Sequence, residues 1–309
     1  MFMKRAVNCG LVKADNMKQA ILLLSFGTPR QPSDLLPYLT SIRRGKIPTE
    51  RELKVLTARY DAIGQWDNKL LQTMGEDQKK TLKSLLAIDA MYLAYLHMPN
   101  SMEQAIESIA TAGYTSILCI VTSPFYSMIG TGAYERKLHS ILRAYPDISC
   151  EIIKSWWNRP QFFEYWRSQL MAANPLQADT ACIFSAHSVP TSTVGSYEDE
   201  VMSASNQIAK MVGLNHWYQA WQSAAPYGEW LGPTIESVIE QALIDGAKRI
   251  VCIPFGFVSD HVEILYDNDI ICRNIVENAG ATYERLPMPN GNTLFMEAMA
   301  KAIRERINK

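Results

Sequence analysis

The stretch from Phe255 to Asp269 reads Phe-Gly-Phe-Val-Ser-Asp-His-Val-Glu-Ile-Leu-Tyr-Asp-Asn-Asp. It sets His261, Glu263, Asp267 and Asp269 just past an apolar run, Arg249 to Pro254. Desolvating a carboxylate is costly unless it is paired or protonated, so acids crowded at such a place point to a task. Ligands of α/β proteins also collect at the ends of strands. A second run, Ala181 to Phe184, leads into Ser185-Ala-His187-Ser-Val-Pro190 in the same half of the chain. Alone, His187 reads as a histidine that merely closes a strand; beside His261 and Glu263 it reads as half of a buried His/Glu site that handles protons and a metal. If the segment after His261 is helical, Glu263 and Asp267 share one face at i, i+4, and Ile271 ends the acidic row. A divalent cation or a proton could move along such a row, although a solvated acidic helix start would look the same. No Gly-x-Ser-x-Gly elbow occurs, which disfavours a Ser–His hydrolase.

Short apolar runs alternate with longer amphipathic segments, and together they must position these residues. Strands are expected at 20–25, 91–96, 117–122 and 151–153, then at 181–185, 218–221, 249–254 and 282–285. Helices are expected at 32–42, 49–63, 75–86, 102–112, 132–144, 160–171, 198–212, 234–245 and 293–307. This alternation predicts an α/β fold of parallel sheets built from right-handed βαβ units. Thr111-Ala-Gly-Tyr-Thr-Ser-Ile-Leu-Cys-Ile120 and Ile244-Asp-Gly-Ala-Lys-Arg-Ile-Val-Cys-Ile253 are similar phrases, each reading as helix end, glycine cap and buried strand. One copy falls in each half, so two related α/β halves with a cleft between them are expected. The division is placed at 17–150 and 151–309, with residues 1–16 as a flexible extension that carries little function.

With 309 residues, 48% of them hydrophobic and 20% charged, the chain can bury a large core. A net charge of -1 lacks the basic balance of a nucleic-acid binder. No apolar run approaches the ~20 residues of a membrane span, and the N-terminus is too polar for a secretory leader. The six cysteines are widely spaced without a Cys-x-x-Cys pair, which reads as reduced thiols of a cytoplasmic protein and offers no cluster for iron–sulfur ligation. Aromatic residues crowd 155–166 and 217–230, either as core or as the walls of a cleft for a flat apolar ligand. Arg43, Arg44 and Arg59 are ordinary surface cations unless they face such a cleft, where they would bind carboxylates.

Several blocks in order resemble the ferrochelatase family, most closely the soluble coproporphyrin III enzymes of Gram-positive bacteria. They are Leu24-Ser-Phe-Gly-Thr-Pro29, Ile42-Arg-Arg-Gly45, Arg59-Tyr-Asp-Ala-Ile-Gly64, Ser155-Trp-Trp-Asn-Arg-Pro160, Ser185-Ala-His-Ser-Val-Pro190, Trp221-Gln-Ser223, Trp230-Leu-Gly-Pro233 and Gly256 to Asp269. The resemblance implies two Rossmann-like halves clamping a porphyrin, with Fe²⁺ as substrate and no organic cofactor. It makes His187 and Glu263 the catalytic pair and metal ligands, with Asp267 the next carboxylate outward and a place for a second divalent cation. Phe26, Trp221 and Trp230 would shape the cleft, His97 would be a cleft histidine of the first half, and Arg43, Arg59 and Tyr134 would lie near the propionates or the rim. Enzymes of the same haem pathway would be its partners.

The chain also departs from the family pattern. Where such enzymes usually read Gly-Gly-x-Ser-Pro-Leu, it reads Gly64-Gln-Trp-Asp-Asn-Lys-Leu70, which puts Asp67 where the porphyrin is held and sets a like charge near a propionate. Phe26 replaces a residue that is often Tyr or Met, Pro124-Phe-Tyr126 replaces Pro-His-Phe, and Ile271 ends the acidic row. These changes leave open a diverged chelatase for another tetrapyrrole or metal, or a porphyrin- or haem-binding protein without catalysis.

Overall fold

The computed structural model describes residues 18–66, 70–225 and 227–308. Two four-stranded parallel sheets organise it. The first runs β2-β1-β3-β4, with β1 Gln19–Ser25, β2 Met91–Tyr95, β3 Ser116–Val121 and β4 Ser149–Ile153. The second runs β6-β5-β7-β8, with β5 Thr180–His187, β6 Trp217–Gln222, β7 Arg249–Ile253 and β8 Thr282–Arg285. In both, the order reverses at the first strand of the half, and that switch point is where ligands of open α/β sheets bind. The central strands are apolar on both faces because helices cover both sides, as parallel sheets require.

The helices are α1 Leu35–Ile42, α2 Glu50–Ala62, α3 Leu70–Leu86, α4 Ser101–Thr111, α5 Thr131–Leu142, α6 Pro160–Ala172, α7 Tyr197–Val212, α8 Ile235–Ile244, α9 Arg273–Asn278 and α10 Thr293–Ile307. Their starts follow local chemistry. Thr49 and Glu52 close a reciprocal capping box on α2, the Thr234 hydroxyl accepts from Ser237 at the head of α8, and the Asn292 side chain accepts from Leu294 and Phe295. The repeated phrase serves the same end in both halves. Gly113 and Gly246 take left-handed φ values of 76° and 100°, which turn a helix into the next strand at no Cβ cost.

All eight expected strands and all nine expected helices are present, with ends shifted by a few residues. Two features differ. First, a division at 150/151 cuts β4, which pairs with β3, so the first sheet extends to Ile153. The last helix also crosses back: α10 packs against both α3 and α6. One continuous core therefore joins Ile21, Leu82 and Leu118 of the first half to Phe184, Phe255, Phe295 and Met299 of the second. Most of the 155–166 aromatics belong to this core, with Trp156, Phe162 and Trp166 fully buried.

Second, Glu263–Cys272 is wound as a π-helix that runs directly into α9. Its wider i→i+5 turn was not anticipated, and such segments concentrate at functional sites.

Candidate active site

His187 is the last residue of β5, placed by parallel pairing to β6 on one side and β7 on the other. Gly256 follows β7 and lies directly against it. A Cβ on Gly256 would sit 2.4 Å from the Ala186 Cβ and 2.7 Å from its Cα, so only glycine lets the loop pass this close. That loop brings His261 and Glu263 up to His187.

The contacts of each imidazole define its working nitrogen. His187 Nδ1 faces the Ser188 carbonyl, an acceptor, so it carries a proton, and Nε2 points at Glu263 Oε1 at 3.6 Å. His261 repeats the pattern, with Nδ1 3.0 Å from the Ser259 carbonyl and Nε2 3.4 Å from Glu263 Oε2. One carboxylate thus carries an imidazole on each oxygen. Tyr197 donates to the His187 carbonyl at 2.9 Å and fixes the strand end. Gln222 donates to the Glu263 carbonyl at 3.3 Å, while its own oxygen accepts from Ser185 and Asn268. This buried amide ties β5, β6 and the π-helix together.

Electrostatics couple the pair. Burial alone would lower the pKa of His187, but the Glu263 carboxylate, the Ser188 carbonyl and Asp267 outweigh it and hold the imidazole up at about 8. Burial would raise Glu263, yet His187 and His261 hold it well below the ordinary carboxylate range. At neutral pH the two groups therefore form an imidazolium–carboxylate pair. The side chains keep 34% and 28% of their surface accessible, so they face an open cleft rather than a sealed core.

That cleft is a cavity of about 300 Å³ lined from both halves. Phe26, Thr28, Tyr60, Met74 and Tyr134 form walls on the first side, facing Val189, Phe257, His261 and Glu263 on the second. The mixture of apolar walls with a few convergent polar groups suits a flat, largely apolar ligand that carries a polar centre.

Of the residues singled out from sequence, His187, His261, Glu263, Phe26 and Tyr134 line this cavity. Burial pushes the Tyr134 phenol far up, so it stays neutral. Other candidates sit elsewhere. Trp221 is 2% exposed and packs on Tyr197 inside the core, and Trp230 donates to the Tyr227 carbonyl at 2.8 Å on an outer loop. His97 packs edge-on behind Phe26, with ring centroids 4.4 Å apart, and its Nδ1 meets the Ser41 hydroxyl at 2.9 Å; burial lowers its pKa to about 4. Arg43 pairs with Glu52. Arg59 reaches across to the second half, 3.4 Å from Asp267 Oδ1 and over the Tyr266 ring. The other Asp267 oxygen accepts from Ser223 at 2.7 Å, so both oxygens of this buried acid are engaged. Burial nevertheless raises its pKa, against Ser223 and Arg59. Among the described residues no three or more His, Cys, Asp or Glu side chains are arranged to hold a metal ion, and Asp267 does not complete a ligand set with His187 and Glu263.

Asp67 lies outside the described residues. Beside it, Gln65 is fully buried and donates to the Pro29 carbonyl at 2.8 Å, and Trp66 lies against Tyr60. Phe125 is a core residue ringed edge-on by Phe162, Tyr197 and Phe255. Arg30, Thr28, Tyr60 and Gly75 line the cavity and were missed. Thr28 and Tyr60 fall inside the Leu24–Pro29 and Arg59–Gly64 blocks, and Gly75 is a glycine inside a helix, where a Cβ would meet the Tyr95 hydroxyl at 2.5 Å.

Comparisons with known proteins agree with this geometry. The family model described as Ferrochelatase matches residues 18–307. The coproporphyrin III ferrochelatase of Geobacillus kaustophilus is 33% identical over 302 residues, covering 93% of this chain and 95% of that enzyme. The coproporphyrin III ferrochelatase of Staphylococcus aureus (strain Mu50) is 32% identical over 304 residues, covering 93% of this chain and 98% of that enzyme. Among solved structures, the sirohydrochlorin chelatase SirB of Bacillus subtilis subspecies spizizenii in complex with cobalt overlays with a TM-score of 0.60. It covers 94% of this chain and 95% of that one at 10% identity, a likeness of fold alone. A cleft between two such halves, a His/Glu pair at its centre and a match along nearly the whole chain place this protein in the ferrochelatase family.

Proposed function

We propose that this protein inserts Fe²⁺ into coproporphyrin III, with His187 and Glu263 at the centre of the exchange. The observation that carries the reading is a single carboxylate shared by two imidazoles at the wall of a cavity that both halves line. The relatives named coproporphyrin III ferrochelatase, matched over 93% of the chain, support the choice of ring.

Insertion exchanges two pyrrole N–H protons for one divalent cation. The centre must therefore offer a cation an anionic oxygen and accept protons from the ring. Glu263 supplies the anionic oxygen, and the His187 Nε2, once free of its proton, supplies a basic nitrogen. A cation approaching the pair displaces the imidazolium proton, because a ligating histidine must be neutral. The displaced imidazolium proton leaves to solvent through the open cleft. Each of the two ring protons, taken in turn at His187 Nε2, follows it there or passes to Glu263 Oε1 and, once the carboxyl turns that oxygen toward His261, to its Nε2. Tyr197 and Gln222 hold these groups without joining the exchange. The chemistry uses no organic cofactor, and iron is a substrate in transit.

Arg30, which lines the cavity, is proposed to meet a propionate. Asp267 is proposed as the next carboxylate on the cation's route, where Arg59 now holds the charge that a second divalent cation would supply. We place the enzyme in the cytoplasm, serving haem synthesis; no helix among the described residues is long and apolar enough to cross a membrane.

The test is anaerobic incubation of purified protein with Fe²⁺ and, separately, coproporphyrin III, protoporphyrin IX and a uroporphyrin-type ring, followed by absorbance. Turnover of coproporphyrin III above the others is expected. Turnover of only another ring would mark a diverged chelatase, and stoichiometric binding without insertion would mark a porphyrin carrier.

A further inference from the structure

We propose that Arg285 is a positioning residue for metal insertion: its one guanidinium brackets both ends of the backbone arc, Asp260 to Asp269, that presents His261 and Glu263 to the cleft and also carries Asp267. The inference rests on the insertion chemistry proposed above and concerns a residue that touches neither ring nor metal.

Arg285 ends β8, at the edge of the second sheet. Its Nε and Nη2 donate to the two oxygens of Asp269 at 2.7 and 2.8 Å, a two-pronged fork. The same Nη2 lies 3.1 Å from Asp260 Oδ1, and Nη1 donates to the Leu286 carbonyl at 3.2 Å. Three hydrogen bonds and the Asp260 ion pair, which forms no hydrogen bond at Oδ1, hold the guanidinium, and the side chain is 13% exposed. Asp260 precedes His261, and Asp269 lies inside the π-helix that begins at Glu263. Fixing both acids to one rigid plane fixes the chord of the arc between them.

The Asp260 end is held a second way. Asn290 accepts from the Asp260 backbone N–H and donates to its Oδ2, both at 2.9 Å, and its own N–H donates to the Val258 carbonyl. Asn290 does this from a left-handed φ of 50°, a conformation that asparagine adopts more readily than other non-glycine residues. Gln78 and Thr81 of α3 donate to the Asn290 and Gly291 carbonyls, so the anchor of the arc is tied to the helix that lines the other side of the cavity.

Arginine is the residue for this place. A lysine would carry the same charge as a single point on a flexible stem and could not fork to Asp269 while facing Asp260. If Arg285 served only to neutralise two buried acids, lysine would restore function; if it sets the arc, lysine would not.

The test compares wild type, Arg285→Lys and Asp269→Asn. The readouts are thermal melting, the Kd and stoichiometry of coproporphyrin III by fluorescence quenching, and insertion rate per bound ring. For Arg285→Lys, cooperative melting and one bound ring per chain are expected, with Kd changed by no more than about threefold because the apolar walls Phe26, Tyr60, Met74, Val189 and Phe257 lie outside the Asp260–Asp269 arc. Insertion per bound ring should fall roughly 10- to 100-fold, the scale of a misplacement of about 1 Å. Asp269→Asn, which weakens one arm of the fork without exchanging the cation, should show the same split to a smaller degree and decides the matter if Arg285→Lys does not fold. Wild-type insertion per bound ring in the folded variants would overturn the proposal, as would a loss confined to Kd or to the fraction of chains that bind. Failure of the wild type to insert metal would instead remove the functional reading itself.

Discussion

Replacing Glu263 by glutamine separates the two services of this carboxylate, as an anion for the cation and as the group that sets the state of His187. The change is isosteric and leaves the cleft its shape. At the observed 3.6 Å the Glu263–His187 attraction is about 1 kcal/mol in bulk water and about 5 kcal/mol at the effective dielectric of a protein surface. A third of each side chain reaches solvent, so the lower end applies, about 1.5 kcal/mol, or roughly one pKa unit. His187 should therefore titrate about one unit below its wild-type value of about 8. At pH 7 the free-base fraction then rises about fivefold, from roughly a tenth to roughly a half. Yet insertion should slow by about 100-fold or more, because the anionic oxygen and the relay to His261 are gone.

The assay pairs imidazole NMR titration, with His187→Ala supplying the assignment, with kcat/KM for coproporphyrin III measured from pH 6 to 9. Wild-type kcat/KM should rise with pH through the His187 transition, and that rise should move to lower pH in Glu263→Gln. Stability follows the same linkage. The raised pKa of His187 contributes stability that is complete below 6.5 and lost as pH rises through about 8. The depressed Glu263 contributes stability present above its ordinary 4.5 and lost as pH falls toward its folded value. The Tm difference between wild type and variant should therefore be largest between these limits and shrink by pH 9. An unchanged His187 titration would refute the coupling, and faster insertion by the variant would refute the role of the carboxylate.

Three other perturbations probe the surroundings. His261→Ala should leave porphyrin affinity intact and slow insertion by about 10-fold, less than loss of His187, since only the far end of the relay goes; an effect equal to that of His187→Ala would mean that the two imidazoles act as one. Arg59→Met strips Asp267 of its cationic partner; with Arg59 38% exposed the cost should be about 1–2 kcal/mol in urea denaturation, well short of a fully buried pair. Gly256→Ala forces a Cβ into Ala186 and should cost about 1–3 kcal/mol while lowering insertion, and a stability change below about 0.5 kcal/mol would show that the loop can move aside.

The architecture was legible because period and punctuation agree: buried runs such as Ile21–Leu24 and Ile250–Ile253 are bounded by glycine caps and polar helix starts. His187 and Glu263 were legible because chemistry-bearing residues at strand ends have little reason to be there otherwise. The rest depends on contacts that no local pattern encodes. Trp221 and Trp230 share the composition of a cleft wall, but their orientation is fixed by Tyr197 and by the Tyr227 carbonyl. The sequence puts Arg59 near the propionates or the cleft rim, and the carboxylate it meets in the fold is Asp267. The i, i+4 reading of Glu263 and Asp267 assumed an ordinary helix, whereas the segment is a π-helix. Arg285 carries no motif at all; its role appears only when β8 is laid beside β7.

If His187, opposed to Glu263, performs the exchange, the cleft should still bind the ring without it. A single-turnover absorbance experiment on His187→Ala loaded with coproporphyrin III tests this most directly. The variant should bind the ring stoichiometrically and keep the metal-free spectrum after Fe²⁺ is added, while wild type converts. Conversion at the wild-type rate in the variant would contradict it.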